Sequence, residues 1–321
     1  MRRVILPLVG VFVAVIVALG IAEVALRVFH LAPSSGVATV DAADFARLPG
    51  IFAPNQHVRV TDIPALPYWV TIDSLGFRGP DFPRVKPAGE FRLLFIGDSE
   101  TFGDFVDDAS TLPAQLERAL QASCGPVRVI NGGLGGSTIT EELQLARRGE
   151  AVTPDMVLLE FTENDVADLA HTRPLWVLLA QNRRAKSGFP LSVLYPFLRN
   201  TALWNLGIKA VARARTSPPP APQAGGEPGS VASSLRDRYL VSLQQLRDSV
   251  LARGTPLQMV LYPSHMSVRE GRSEQLAWVE AAAQRAGVPV HDLLPPLTAS
   301  KLSVTQLYLL PHDGHPSPRG Y

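Results

Sequence analysis

Four short segments of this chain hold residue types that can make and break covalent bonds. They are Gly97-Asp98-Ser99-Glu100-Thr101-Phe102-Gly103, Asn131-Gly132-Gly133-Leu134-Gly135-Gly136-Ser137-Thr138, Thr162-Glu163-Asn164-Asp165 and Asp313-Gly314-His315-Pro316. Serine, histidine and aspartate are the parts of nucleophilic catalysis. A hydroxyl attacks poorly until a base takes its proton, and imidazole is the side chain whose ordinary titration lies nearest neutral pH. Each segment alone also has an ordinary reading. Ser99 suits a helix N-cap, Asn164 and Asp165 suit a turn or a cap, and His315 suits a surface loop. The glycine run does not fit nucleotide binding, because Gly133 and Gly135 are followed by Thr138 where a third glycine is required, and no Gly-Lys-Ser/Thr follows. His312, Asp313 and His315 form an incomplete metal ligand set. No metal and no cofactor are expected.

The segments must be positioned by something, and the surrounding pattern supplies it. Apolar runs at Phe91–Ile96, Val127–Ile130, Met156–Phe161, Leu257–Leu261 and Val288–Leu293 read as buried strands. Between them, residues 111–122, 140–150, 235–252 and 274–285 read as helices, the last two stopped by Gly254 with Pro256 and by Gly287. Alternating strands and helices predict an α/β fold with a parallel sheet covered on both faces. In such sheets ligands bind beyond the carboxyl ends of the strands, which is where the first three segments fall. His265, just past the fourth strand, is a loop residue that could line the cleft. Cys124, the single cysteine, excludes an intramolecular disulfide and a cysteine zinc site. Its place near a helix end predicts a buried structural thiol.

Composition bounds the partners. The net charge is +1 and no basic cluster follows Arg2 and Arg3, so nucleic acid is not an expected partner. Val4 to Ala22 is nineteen residues without a charge, close to the length that spans a bilayer core of about 30 Å. The two arginines place the N-terminus in the cytoplasm. The expectation is an uncleaved single-pass anchor in the inner membrane, with a cleaved signal peptide as the rival. Either one exports the rest of the chain to the periplasm or extracytoplasmic space. The organisation expected is therefore an anchor or signal over 1–30, an irregular connecting region over 31–90 and a catalytic-type domain over 91–321. That domain carries a flexible Pro/Gly/Ser-rich insertion at about 216–234. Residues 166–213, broken by Pro174, Pro190 and Pro196, predict short helices and loops.

Taken together and in this order, the four segments resemble the SGNH (GDSL-type) hydrolase superfamily. They most resemble its bacterial membrane-anchored branch, in which a Leu-Gly-Phe-Arg segment, here Leu75 to Arg78, precedes the Gly-Asp-Ser block. The resemblance covers roughly residues 70–321. It implies a three-layer α/β/α, flavodoxin-like fold with a five-stranded, mainly parallel sheet and an N-terminal transmembrane helix. It also implies a nucleophile Ser99, a catalytic His315 with Asp313, and an oxyanion hole built from Ser99, Gly136 and Asn164. The chemistry agrees. Asp313 would fix the tautomer of His315 and stabilise its imidazolium, and oxyanion donors are typically worth about 10²–10³ in rate each.

Three departures from the pattern stand out. Thr162 occupies a position usually held by glycine, the Asp-to-His spacing is shortened to Asp313-Gly314-His315, and the chain stops at Tyr321 where the resemblance implies a closing helix. The resulting expectation is a serine esterase acting on acyl esters through an acyl-enzyme, such as acetyl groups on carbohydrates or lipid esters. Cell-envelope glycan or lipid would be its partner beside the membrane. The alternatives are a cell-envelope polysaccharide O-acyltransferase with the same triad and a non-catalytic envelope binding protein.

Overall fold

The computed structural model describes residues 2–29, 36–40, 42–170, 194, 198, 201–215 and 228–321. Two helices come first, α1 (Arg2–Val28) and α2 (Ala42–Arg47). An antiparallel hairpin of β1 (Gln56–Val60) and β2 (Tyr68–Ile72) follows, pairing Gln56 with Ile72 through Val60 with Tyr68. The stretch 31–90, expected to be irregular, thus contains a hairpin. Its β2 buries Tyr68, Val70 and Ile72 on one face, the period-2 pattern of a half-buried strand.

The main sheet then builds up strand by strand. Its elements are β3 (Phe91–Ile96), α3 (Ser99–Phe102), α4 (Leu112–Cys124), β4 (Val127–Asn131), α5 (Ile139–Gly149), β5 (Met156–Phe161) and α6 (Asp165–Asp168). After them come α7 (Ala202–Arg215), α8 (Pro228–Leu251), β6 (Leu257–Leu261), α9 (His265–Glu270), α10 (Glu274–Arg285), β7 (Val290–Asp292), α11 (Leu294–Ala299) and α12 (Val304–Leu307). The five strands lie in the order β4-β3-β5-β6-β7, every pair parallel. That is the flavodoxin-like order, with its switch point between β3 and β5. Alternate side chains of β3 go to opposite faces. Leu94 and Ile96 join the larger core with Leu143, Leu243 and Leu276 of the helices α5, α8 and α10, while Leu93 and Phe95 pack toward Leu116 and Leu120 of α4. Three layers result.

Most strand limits fall where the apolar runs end. Three local readings need correction. Residues 228–234, expected within the flexible insertion, form the first turns of α8. Pro228 opens that helix, a position where proline's missing N–H costs nothing. Residues 216–227 lie outside those described. In the stretch 166–213 the described part includes α7, a helix of 14 residues. Cys124 is exposed, not buried, because it ends α4 against the turn at Gly125.

Candidate active site

Ser99 follows the carboxyl end of β3, with Gly97 and Asp98 making the turn. The cap role belongs to Asp98: its Oδ1 accepts from the Glu100 N–H at 3.1 Å, and Ser99 becomes the first residue of α3. The Ser99 hydroxyl is therefore free for other partners. His315 Nε2 lies 2.8 Å from Ser99 Oγ. His315 Nδ1 meets Asp313 Oδ1, which also accepts the His315 backbone N–H at 2.8 Å. The shortened Asp-x-His spacing thus folds the aspartate back under its own histidine. All three expected members come together, from segments 216 residues apart in the chain.

The glycine block is laid beside Ser99 by hydrogen bonds to the Gly97 carbonyl. Leu134 N donates to Gly97 O at 3.0 Å, and Ser137 Oγ donates to the same carbonyl at 3.0 Å. Gly133 must be glycine, because a Cβ there would stand 2.2 Å from the Phe102 nitrogen. Gly136 has φ +72°, with open space where a side chain would stand. This is the left-handed region that favours glycine. Among the described residues nothing accepts the Gly136 N–H.

Asn164, just before α6, is exposed. Its Nδ2 donates to Asp168 Oδ2 at 2.9 Å and, more weakly, to Asp98 Oδ2 at 3.4 Å. Thr162 supplies the orientation. Its hydroxyl donates to Asn164 Oδ1 at 2.7 Å, which ties down the carbonyl end of the amide and leaves Nδ2 to the Asp168 and Asp98 carboxylates. The threonine that departs from the family pattern therefore acts on the asparagine through its hydroxyl.

Several residues at the site were not singled out from the sequence. Glu100 Oε2 accepts from Ser99 Oγ at 3.0 Å, so two acceptors compete for one hydroxyl hydrogen. A neutral Glu100 resolves the competition, since it can donate its own hydrogen to Oγ and leave the serine hydrogen to His315. Burial, then the Asp98 carboxylate beside it, pushes the Glu100 carboxyl well above its usual range. Beneath it, burial does the same to Glu142, Glu160 and Asp165. Asp98, Glu100 and Glu160 each bring one carboxylate oxygen to within 4.8 Å of the others. A cation could occupy that spacing, and protons retained on the carboxyls offset the same repulsion.

On the opposite side, the Phe105 ring packs edge-on against the His315 ring at 5.3 Å. Tyr68 of the hairpin donates to Asp104 Oδ1 at 3.0 Å. His265 lies close by: a Cβ on Gly314 would stand 3.4 Å from its ring.

Arg78, the last residue of the Leu-Gly-Phe-Arg segment, holds this loop. Its side chain is almost wholly buried and donates to the carbonyls of Phe102 (2.8 Å), Gly103 (2.6 Å) and Val106 (2.7 Å) and to Asp108 Oδ1 (2.9 Å). The turn that delivers Arg78 is shaped by Asp73, whose Oδ1 accepts from both Leu75 N and Phe77 N at 2.9 Å. The signal in the sequence was the motif itself, but its partners lie in another segment. A cavity of about 380 Å³ is lined by Arg78, Asp108 and Arg128 among others, and by none of Ser99, Asp313 and His315.

No curated protein matches the chain. Among solved structures it is similar to AlinE4, described as an SGNH-hydrolase family esterase, at 14% identity, covering 64% of this chain and 77% of that one, with TM-score 0.37. It is also similar to the psychrotrophic esterase EstA from Pseudoalteromonas sp., at 12% identity, covering 71% and 89%, with TM-score 0.41. The GDSL-like lipase/acylhydrolase family model matches residues 95–321, from within β3 to the end of the sequence, a stretch that includes Ser99 and His315. The fourth of the letters that describe that family, a leucine, is Glu100 in this chain. With most of its length matched, and Ser99 and His315 within the match, the chain belongs to the GDSL-like lipase/acylhydrolase family and is an ester-hydrolysing enzyme.

Proposed function

We propose that Ser99, His315 and Asp313 form the catalytic triad of a serine esterase that cleaves acyl esters on the extracytoplasmic side of a membrane. The observation that carries the proposal is the unbroken relay from Ser99 Oγ to His315 Nε2 at 2.8 Å and from His315 Nδ1 to Asp313. Ser99 Oγ attacks the acyl carbon, and its proton passes to Nε2. The carbonyl oxygen becomes an oxyanion facing the N–H groups of Ser99 and Gly136 and the Asn164 amide, which gives up its 3.4 Å contact with Asp98 to receive it. The oxyanion collapses, the ester C–O bond breaks, and the alcohol leaves with the proton from Nε2. Water then repeats the sequence on the acyl-enzyme, releasing the carboxylic acid and restoring the serine.

The cellular side rests on α1. Val9–Val28 is long and apolar enough to cross a membrane, with mean hydropathy 2.6 and none of that span buried inside the protein. It serves as the single-pass anchor. Replacement of Ser99 by alanine, assayed on a short-chain aryl ester, is expected to remove turnover by roughly 10⁴-fold or more and to abolish labelling by a fluorophosphonate. Turnover equal to that of the parent would overturn the assignment.

A further inference from the structure

Helix α1 is bare along most of its length, but not at its outer end. Ala22, Glu23, Ala25 and Leu26 are half-buried, whereas the described residues before them, Val9 to Ile21, are exposed. The element packed against α1 is α7. The join is specific. The Glu23 carboxylate accepts from the Ala202 N–H at 2.9 Å and from the Leu203 N–H at 3.0 Å, so it satisfies the open amides at the start of α7. Arg27 Nε, one turn further on, donates to the same carboxylate at 2.7 Å. A carboxylate inside an apolar span is costly unless it is paired, and here it is paired both by Arg27 and by another helix.

The depth follows from the register. Glu23 lies five residues before the end of the apolar span at Val28, which is about 7.5 Å at the helical rise. An interfacial helix lies about 5–10 Å into the boundary between headgroups and acyl chains. The outward face of α7 suits that layer. Leu206 is 40% and Val211 49% exposed, and Gly207 and Ala210 between them are exposed too. The helix has no acidic residue and carries Lys209, Arg213 and Arg215 toward its end, the charge that anionic lipid attracts.

We infer that α7 is an interfacial helix, seated on the anchor by Glu23 and lying with Leu206, Ala210 and Val211 in the surface of the same bilayer. The inference rests on the anchor reading of α1. It makes the attachment two-point, a spanning helix plus a helix in the plane of the membrane, so the enzyme cannot swing freely on a single stalk.

The test uses the full chain with Cys124→Ser, reconstituted in vesicles of phosphatidylcholine and phosphatidylglycerol. A fluorophore is attached to one new cysteine at a time: Leu206→Cys, Val211→Cys, Phe12→Cys in α1 and Val85→Cys, the last being 82% exposed on the catalytic domain. Labels at 206 and 211 are expected to be quenched by nitroxide lipid, as at 12, and not by aqueous iodide, which quenches at 85. Adding Glu23→Ala should move the label at 206 toward the behaviour of 85. Lipid contact at 12 with iodide access at 206 and 211 would overturn the inference while leaving the anchor intact. Iodide access at 12 would overturn both. Shielding of 206 and 211 from both quenchers would mean that protein, such as a second copy of the chain, covers α7, and would also overturn the inference.

Discussion

Ser99 and His315 end 2.8 Å apart, but the chain holds them by different means. Ser99 caps a strand with neighbours on both sides, β4 and β5. The loop behind it is gripped by one buried guanidinium, that of Arg78, which reaches the carbonyls of Phe102, Gly103 and Val106. His315 belongs to no strand of the sheet. Its loop is held by many small ties: Leu309 N to His315 O at 2.9 Å, Ser317 N to Leu307 O at 2.8 Å, Tyr308 Oη to Pro263 O at 2.5 Å and Tyr262 Oη to Gly320 O at 2.7 Å. Ser99 is thus fixed by the global fold and one clamp, and His315 by distributed local bonding. The first arrangement should fail all at once, the second by degrees.

The largest effect should come from a change that disturbs neither support. Asp313→Asn leaves the size of the side chain intact but allows its amide to donate to Nδ1, which favours the tautomer with the proton on Nε2. The base then faces Ser99 with a hydrogen instead of a lone pair. A fall of about 10⁴ in kcat is expected, with the urea midpoint unchanged. A shifted midpoint with kcat retained would mean that Asp313 serves only the loop.

The clamp comes next. Arg78→Met should cost about 3–5 kcal/mol in urea unfolding, because it strands the buried carbonyls and removes the cation from the Asp108 carboxylate, which keeps its bonds from the Thr71 N–H. Activity should fall together with stability, since the Ser99 loop and its Phe105 contact to His315 loosen as one. A loss below about 1 kcal/mol would show that the loop is held by its own backbone bonds and would remove one side of the contrast.

The two supports also differ in how far they can be read in advance. Strands β3, β5 and β6 are legible because an apolar run between turn residues has few other uses, and the Ser99, Gly136 and Asn164 positions follow from strand ends. The hairpin of β1 and β2 is not legible. Its strands are five residues each, and Gln56, Val58 and Val60 alternate with the polar His57 and Arg59 too briefly to stand out. The motif containing Arg78 is visible, but its targets lie 24 to 30 residues away and depend on the folded loop. Glu100 is in plain sight beside Ser99, yet its effect depends on burial, which no local pattern encodes. The start of α8 was hidden by Pro228 and Gly229, which read as loop until the helix behind them is seen.

A smaller effect probes the distributed support. Tyr308→Phe removes one hydroxyl donor and leaves the Pro263 carbonyl unpaired. About 1 kcal/mol is expected, with kcat/KM reduced only severalfold, because the other ties keep the loop in place. A collapse as severe as that of Arg78→Met would show that His315 also hangs on a single clamp.

The smallest change in structure tests the point where the two supports meet. Glu100→Gln keeps a donor toward Ser99 Oγ and removes the titration. In the parent, burial raises the Glu100 carboxyl above its ordinary 4.5. The group is neutral below that raised value and donates to Oγ. As pH rises through it, the carboxylate forms and takes the Ser99 hydrogen away from His315, so kcat/KM should fall on the alkaline side. The amide cannot ionise, and the alkaline limb should move to higher pH in the variant while the acid limb stays in place. Stability carries the same sign. An acid whose folded value is raised is most favourable below the unfolded value, and its contribution is lost as pH rises through the folded one. Glu100→Gln should therefore match the parent at acid pH and exceed it at alkaline pH in urea unfolding. Superimposable pH profiles for the two proteins would mean that no titration of Glu100 governs the Ser99 hydrogen over that range, and would overturn this account of the alkaline limb.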